Sequence, residues 1–277
     1  MDKGIFVKKA SVVLGEKTIL SDINLKIKHG EKVAILGGNG VGKTTLLRAL
    51  SGQIKLKSGL ITINGIEVNP KNINRLSSVI GYIFQNIDYQ LFAETVYDDV
   101  SFGLVNKGIN ENEIKNLVKE SLIKVRLEGY EDRYIHTLSG GEKKRCAIAG
   151  ILVMNPEYLL LDEPLEGLDP KGIEDFLTLL DDLQKKNGIT ILMATHTVDT
   201  ICNFFPRILE LWDGKLINDG NPEKIFENEE TLKQHNLKLP IIAQAFKGFG
   251  NYAPLNVNDA RKILSDIFRK SNLSQDK

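Results

Sequence analysis

The chain has 277 residues, with 36 basic and 36 acidic side chains, so its formal charge is zero. That balance excludes the basic excess of a nucleic-acid footprint, and no nucleic-acid partner is expected. A hydrophobic content of 42% and this length suit one large globular domain, or one domain with a small appendage.

No window holds the roughly 18 uncharged apolar residues needed to cross a bilayer. The opening "MDKGIFVKKA" has charges on both sides of a very short apolar core, unlike a signal peptide. Any membrane attachment is therefore expected through a partner. Cys146 and Cys202 match no metal or disulfide spacing and read as small apolar packing groups in a reducing compartment.

In chain order, "IFVKKASVVL" and "TILSDINLKIKHGEKVAILG" read as strands with alternating or short apolar runs. Val33–Leu36, Val79–Phe84, Tyr158–Leu161 and Ile189–Ala194 are near-continuous apolar stretches, as parallel strands covered on both faces require. Residues 86–155 contain no such strand. They carry two helical patterns and read as a helical insertion, with one stripe formed by Ile114, Leu117, Val118, Leu122 and Val125. Ile173, Phe176, Leu177, Leu180 and Leu183 form another helical stripe. From Gly220 onward, short helical pieces alternate with polar turns, and the final "SNLSQDK" is expected to be disordered. Buried strands alternating with helices predict an α/β fold, with a main domain over 1–220 and a helical appendage over 221–277.

"GGNGVGKTT" comprises Gly37, Gly38, Asn39, Gly40, Val41, Gly42, Lys43, Thr44 and Thr45, and it matches G-x-x-x-x-G-K-[ST] in full. The strand before it and the helix after it favour a phosphate-binding loop over a chance glycine turn. Its backbone N–H groups can cradle phosphates, Lys43 supplies a cation for the β- and γ-phosphates, and the Thr44 hydroxyl can ligate Mg²⁺. "YLLLDEP" ends a buried strand in two acids. Asp162 suits a Mg²⁺ contact, and Glu163 suits a general base for attack of water on a γ-phosphorus. His196 ends "LMATH" and, as a neutral imidazole, can sense that phosphate or its water. Gln85 ends "SVIGYIFQ" and offers an amide to a Mg²⁺ shell or to the lytic water. All of these groups follow strand carboxyl ends, the edge along which open α/β sheets bind ligands.

"LSGGE" at 138–142 fits a capping box, S-x-x-E before an apolar run, so its plain reading is a helix start. Its two glycines also leave that helix start open to an anion.

In this order, the P-loop, Gln85, "LSGGE", "LLLDEP", "GLD" at 167–169 and His196 resemble the ATP-binding-cassette (ABC) ATPase family over residues 1–220. The resemblance implies an ABC-type P-loop fold with an antiparallel β subdomain, a helical subdomain and a C-terminal appendage. It also implies ATP hydrolysis with Mg²⁺, and two ATPase subunits closing over two nucleotides. Ser139, Gly140, Gly141 and Glu142 would then complete the partner's ATP site, and Asp169 would touch the facing subunit.

"QNIDYQLFAETVYDDVSFG" at 85–103 and "HNLKLP" at 235–240 are similar to the ATPases of energy-coupling-factor (ECF) importers of vitamins and metals, including cobalt-type ones. This resemblance implies a peripheral position on the cytoplasmic face of the cell membrane. Its implied partners are a transmembrane coupling protein, a substrate-capture membrane subunit, and a second ATPase that is either this chain or a paralogue. The acids Asp88, Glu94, Asp98 and Asp99 would face arginines of the transmembrane partner, although a short acidic run alone reads as a solvated face. The appendage would help hold the two ATPases together.

Two positions depart from the family pattern. Leu14 stands where an aromatic usually stacks on adenine, so the base would meet an aliphatic surface, and preference for ATP over GTP stays open. Leu165-Glu166 replaces the usual small residues. Two rival readings are the ATPase of a conventional importer with its own permease and an ABC ATPase with no transport role. The long coiled coils or paired cassettes of repair and translation types are absent from this sequence.

Overall fold

The computed structural model describes residues 3–248 and 254–275. Two sheets organise the chain. A four-stranded antiparallel sheet has the order β2-β1-β4-β5, from β1 (Gly4–Leu14), β2 (Lys17–Lys28), β4 (Ser58–Ile63) and β5 (Ile66–Glu67). The central six-stranded sheet has the order β10-β9-β3-β8-β7-β6. It comprises β3 (Lys32–Leu36), β6 (Ile80–Ile83), β7 (Tyr158–Asp162), β8 (Thr190–Thr195), β9 (Arg207–Trp212) and β10 (Lys215–Gly220). β9, β3, β8, β7 and β6 run parallel, and β10 is the antiparallel edge.

Strand periodicity divides the buried residues into two cores. Val33, Ile35, Tyr158, Leu160, Leu192 and Ala194 face the antiparallel sheet and α1 (Lys43–Leu50). Ala34, Leu36, Leu159, Leu161, Ile191 and Met193 face the opposite way, toward the remaining long helices. A strand buried on both faces has no polar phase, which is why these runs read as continuous apolar stretches.

The insertion between β6 and β7 holds three α-helices, not two: α3 (Val96–Asn106), α4 (Glu111–Lys124) and α5 (Gly140–Leu152). The short α2 (Ile73–Leu76) precedes β6. The α4 stripe packs as expected, with Ile114, Val118 and Leu122 buried. The helix not anticipated, α3, starts within the acidic run, where Thr95 caps it and Asp98 and Asp99 occupy its first turn. Acids there favour the helix N-terminus, so what reads as a charged surface loop is a helix start. Gly81 on β6 admits α5, because a Cβ there would lie 2.1 Å from Ile151 Cγ2.

α6 (Pro170–Asn187) follows β7. Asp169 caps it, proline opens it and Gly188 closes it in the left-handed region at φ 68°. After β8 comes the short α7 (Val198–Ile201).

The hairpins β4–β5 and β9–β10 turn on Asn64-Gly65 and Asp213-Gly214, all four residues at positive φ. Those dipeptides are the strongest short hairpin signals in the chain, and they mark strands not anticipated above.

The C-terminal segment forms α8 (Pro222–Ile225), α9 (Glu229–Gln234), α10 (Ile241–Ala245) and α11 (Val257–Gln275). Ser271–Gln275 are therefore helical, contrary to the expected disorder, because extending a nucleated helix costs little. Asp276 and Lys277 lie outside the described residues. Ile225, Phe226, Leu232, Leu237 and Ala243 join the helix-side core. His235 Nδ1 also lies 2.7 Å from Oε1 of the fully buried Glu210 on β9. Asn218 Nδ2 donates to the other Glu210 oxygen at 2.7 Å, so this buried carboxylate is partnered at both oxygens. Among the described residues, no helix is long and apolar enough to cross a membrane.

Candidate active site

The carboxyl ends of β3, β6, β7 and β8 converge on a cavity of about 420 Å³. Its walls include Asn39, Gly40, Gly42, Lys43, Thr44, Thr45, Gln85, Glu163, Glu166 and His196, with Ile19 of β2 at one side.

The loop between β3 and α1 is shaped by glycine. Gly42, at φ 110°, leads directly into α1, and a Cβ on it would lie 2.8 Å from Leu20 Cδ2. The buried Lys43 ammonium donates to the Gly37 and Gly38 carbonyls at 2.8 and 3.0 Å, so its charge sits inside the ring of the loop. Lys43 Nζ is also 3.0 Å from Glu163 Oε1. That contact lies within ion-pair range but lacks hydrogen-bond alignment, and Glu163 Oε1 has no hydrogen-bond partner.

Glu163 is buried and held at φ 45°, an uncommon backbone state for a residue with a Cβ. Its N–H donates to the Ala194 carbonyl of β8 at 3.0 Å. Its Oε2 lies 3.0 Å from His196 Nδ1, with the His196 N–H donating to the same oxygen at 3.3 Å. Acid and histidine, 33 residues apart in sequence, thus form a contact pair.

Asp162 is almost fully buried. Thr44 Oγ1 donates to its Oδ1 at 3.0 Å, and the Tyr82 hydroxyl donates to its Oδ2 at 3.2 Å. Burial pushes the Asp162 carboxyl above the usual carboxylate range, while these two hydrogen bonds act against the rise. The Tyr82 phenol is likewise pushed up, first by burial and then by the charge of Asp162. Tyr82 has no counterpart among the expected site residues. Its signal was positional, since it lies three residues before Gln85 on the same strand.

The Thr44 hydroxyl and an Asp162 carboxylate oxygen, side by side, form a hard oxygen donor set. The residues present therefore fit Mg²⁺.

Gln85 reaches this cavity, but its Nε2 donates to Glu166 Oε2 at 2.9 Å. Leu14 is 46% exposed at the end of β1 and is not part of the cavity wall; the aliphatic contact there comes from Ile19.

Ser139–Glu142 open α5 away from the cavity, as a complete capping box. Glu142 N–H donates to Ser139 Oγ at 3.3 Å, and Ser139 N–H donates to Glu142 Oε2 at 2.8 Å. The Ser139 amide, above all, holds the Glu142 carboxyl below its usual range. Gly140 borders a second cavity of about 500 Å³ with Gln85, Asp88, Lys143 and Glu166. Asp169 accepts from Gly172 N–H at 2.6 Å, capping α6.

The four acids behave differently from one another. Asp99 is buried and is not a surface acid. Its Oδ2 accepts from the Phe92 and Ala93 N–H groups at 2.9 and 3.1 Å, because the loop before α3 folds over it. Asp98 is held by the Thr95 hydroxyl at 2.6 Å, and Asp88 pairs with Lys143 at 2.7 Å. Glu94 is exposed. Beside it, Tyr89 and Phe92 are 85% and 64% exposed, and Phe92 packs edge-on against Phe102 at 4.7 Å. These exposed aromatics were passed over by a charge-based reading of the sequence.

The family model for ABC transporters matches residues 20–166. The energy-coupling factor transporter ATP-binding protein EcfA of Methanocaldococcus jannaschii is 44% identical over 227 residues, covering 81% of each chain. EcfA3 of Clostridium perfringens, named likewise, is 45% identical over 255 residues, covering 89% of this chain and 90% of that one. Among solved structures, cbiO1 of Clostridium perfringens, described as part of the ABC transporter complex cbiONQ, superposes with a TM-score of 0.79. It is 41% identical, covering 89% of this chain and 100% of that one. An ATP-binding cassette solved as a post-hydrolysis dimer with ADP and Pi superposes with a TM-score of 0.70 at 30% identity, covering 79% and 98%. By the family model and by these relatives, the chain belongs to the ABC transporter family, among its energy-coupling-factor ATP-binding proteins.

Proposed function

We propose that this chain is the ATP-hydrolysing subunit of an ECF-type importer for a vitamin or a transition-metal ion, on the cytoplasmic face of the cell membrane. The observation that carries the reading is the convergence of Lys43, Thr44, Glu163 and His196 on one cavity, with Asp162 hydrogen-bonded to Thr44 behind it, at the distances above.

The P-loop N–H groups and Lys43 bind the phosphates, with Lys43 set against the β- and γ-phosphate charge. Thr44, Asp162 and Gln85 would hold Mg²⁺, which when bound offsets phosphate charge. Glu163 takes the proton of the attacking water. His196, held against it at 3.0 Å, orients that water and the γ-phosphate. Lys43 and Glu163, in contact at 3.0 Å, lie side by side in the cavity, so in this reading a terminal phosphate would take Lys43 from Glu163 and leave the carboxylate to the water.

Residues 1–220 form the ATPase domain in this reading, with 86–155 as its inserted helical subdomain and 221–277 as a dimerisation appendage. Ser139, Gly140, Gly141 and Glu142 complete the site of a second ATPase, identical or paralogous, and Asp169 meets the facing subunit. The capping-box geometry supports this: Ser139 is held at an exposed helix start, where its hydroxyl can turn from its own backbone to an anion. The surface around Glu94, Tyr89, Phe92 and Phe102 meets the transmembrane coupling protein, and Asp88 lies at its edge. Asp98, exposed in the first turn of α3, belongs to the same surface, and the buried Asp99 shapes α3 beneath it.

Native mass spectrometry of the membrane-extracted complex tests the reading. The expected masses include a second ABC ATPase, an integral coupling protein and a small substrate-capture subunit. A complex lacking integral subunits overturns it.

A further inference from the structure

We infer that Glu166 is a positioning residue that sets which end of the Gln85 amide faces the nucleotide cavity. The inference rests on the proposed role of Gln85 as a ligand to Mg²⁺ or to the lytic water.

A primary amide has a donor end and an acceptor end of nearly the same shape, and only the oxygen can coordinate a hard cation. Nothing in a glutamine side chain itself selects between the two orientations. A carboxylate selects, because it can only accept. Glu166 Oε2 receives the Gln85 Nε2 hydrogen at 2.9 Å, which commits the nitrogen to Glu166 and frees the oxygen for another partner. Both residues line the cavity that holds Lys43, Thr44 and Glu163.

The position of Glu166 is itself fixed from elsewhere. Lys144 of α5 is buried, and its ammonium donates to the Pro164 carbonyl at 2.5 Å and to the Glu166 carbonyl. Burial lowers the pKa of Lys144, and the Glu166 charge acts the other way. The backbone between the strand-end acids and Asp169 is thereby pinned to the helix that begins at Ser139, independently of the Glu166 side chain. Glu166 thus joins three parts of the site: the Gln85 loop through its carboxylate, α5 through its carbonyl, and Glu163 through the chain. Removing its side chain leaves the Lys144 clamp in place, so the orienting contact can be deleted alone.

The test is equilibrium binding of a fluorescent non-hydrolysable ATP analogue to the full chain, with Mg²⁺ and with a chelator. Glu166→Ala is expected to weaken Mg²⁺-dependent binding about 3- to 10-fold, the range of one hydrogen bond, and to leave chelator binding unchanged. Glu166→Gln should also lose affinity, because its amide both donates and accepts and no longer selects an orientation. Gln85→Ala should show the same Mg²⁺-dependent loss, and the Gln85→Ala/Glu166→Ala pair should lose no more than Gln85→Ala alone. Additive losses, tighter binding in Glu166→Ala, or full affinity in Glu166→Gln would each overturn the orienting role. A Gln85→Ala variant with normal Mg²⁺-dependent binding would instead remove the role of Gln85 itself.

Discussion

Glu163 has a carboxylate oxygen without a hydrogen-bond partner, a lysine at 3.0 Å, a histidine at 3.0 Å and a left-handed backbone. The oxygen without a hydrogen bond and the left-handed backbone cost stability, while the lysine and histidine hold the carboxylate in place, and together they suit a base held ready for a proton. Glu163→Gln keeps the side-chain size and the backbone while removing the basic site. Steady-state hydrolysis is expected to fall about 10²- to 10⁴-fold, the usual worth of a general base, with nucleotide binding retained by titration. Normal turnover in that variant would remove Glu163 from the role of base. Its neighbour Asp162 is not interchangeable with it: both oxygens of Asp162 are already hydrogen-bonded, to Thr44 and Tyr82, so it is equipped to hold rather than to accept a proton.

At the scale of elements, the helix starts that face the proposed subunit contact are built from side-chain caps. Asp169 caps α6, the 18-residue helix that carries Phe176, Leu177, Leu180 and Leu183 into the core. Asp169→Ala should lower stability by about 1 kcal/mol in chemical denaturation, the typical worth of a cap, without changing the isolated chain's affinity for nucleotide. If Asp169 also meets a second subunit, hydrolysis by the assembled complex should fall by more than that stability loss explains. The capping box of α5 and the Thr95 cap of α3 follow the same logic. The α5 box was legible in the sequence because capping is local chemistry, whereas the Asp169 and Thr95 caps were not read. The existence of α3 was not read, because its acids lie in its first turn and its buried stripe of Val96, Val100 and Leu104 is narrow.

The whole molecule has a pH response set by buried acids rather than by net charge. Burial pushes the thiols of Cys146 and Cys202 up to about 12, and the phenol of Tyr158 up to about 12. Unfolded thiols ionise near about pH 8.5. Between that pH and about 12 the folded chain keeps protons that the unfolded chain releases, so stability is complete below the window and falls as pH rises through it. Urea midpoints should therefore decline from about pH 9 upward. Cys146→Ala should flatten the decline, and an unchanged slope would exclude Cys146 as a contributor. Cys146 lies in the helix-side core, into which the C-terminal helices also pack, so loss of that core is expected to release the appendage together with the main sheet.

The sequence by itself determined the candidate site. The P-loop, the strand-end acids Asp162 and Glu163, His196 and Gln85 were legible because phosphate binding and strand ends leave short local signatures. The two-sided burial of the parallel strands was legible because it removes every polar phase from the run. Tertiary structure alone decided what those groups do to one another. Only the order β3-β8-β7-β6 brings Lys43, Glu163 and His196 within 3.0 Å contacts, and only the fold turns Asp99 inward and gives Gln85 a partner in Glu166. Residues distant along the chain become neighbours through sheet order and core packing, and neither leaves a trace in local spacing.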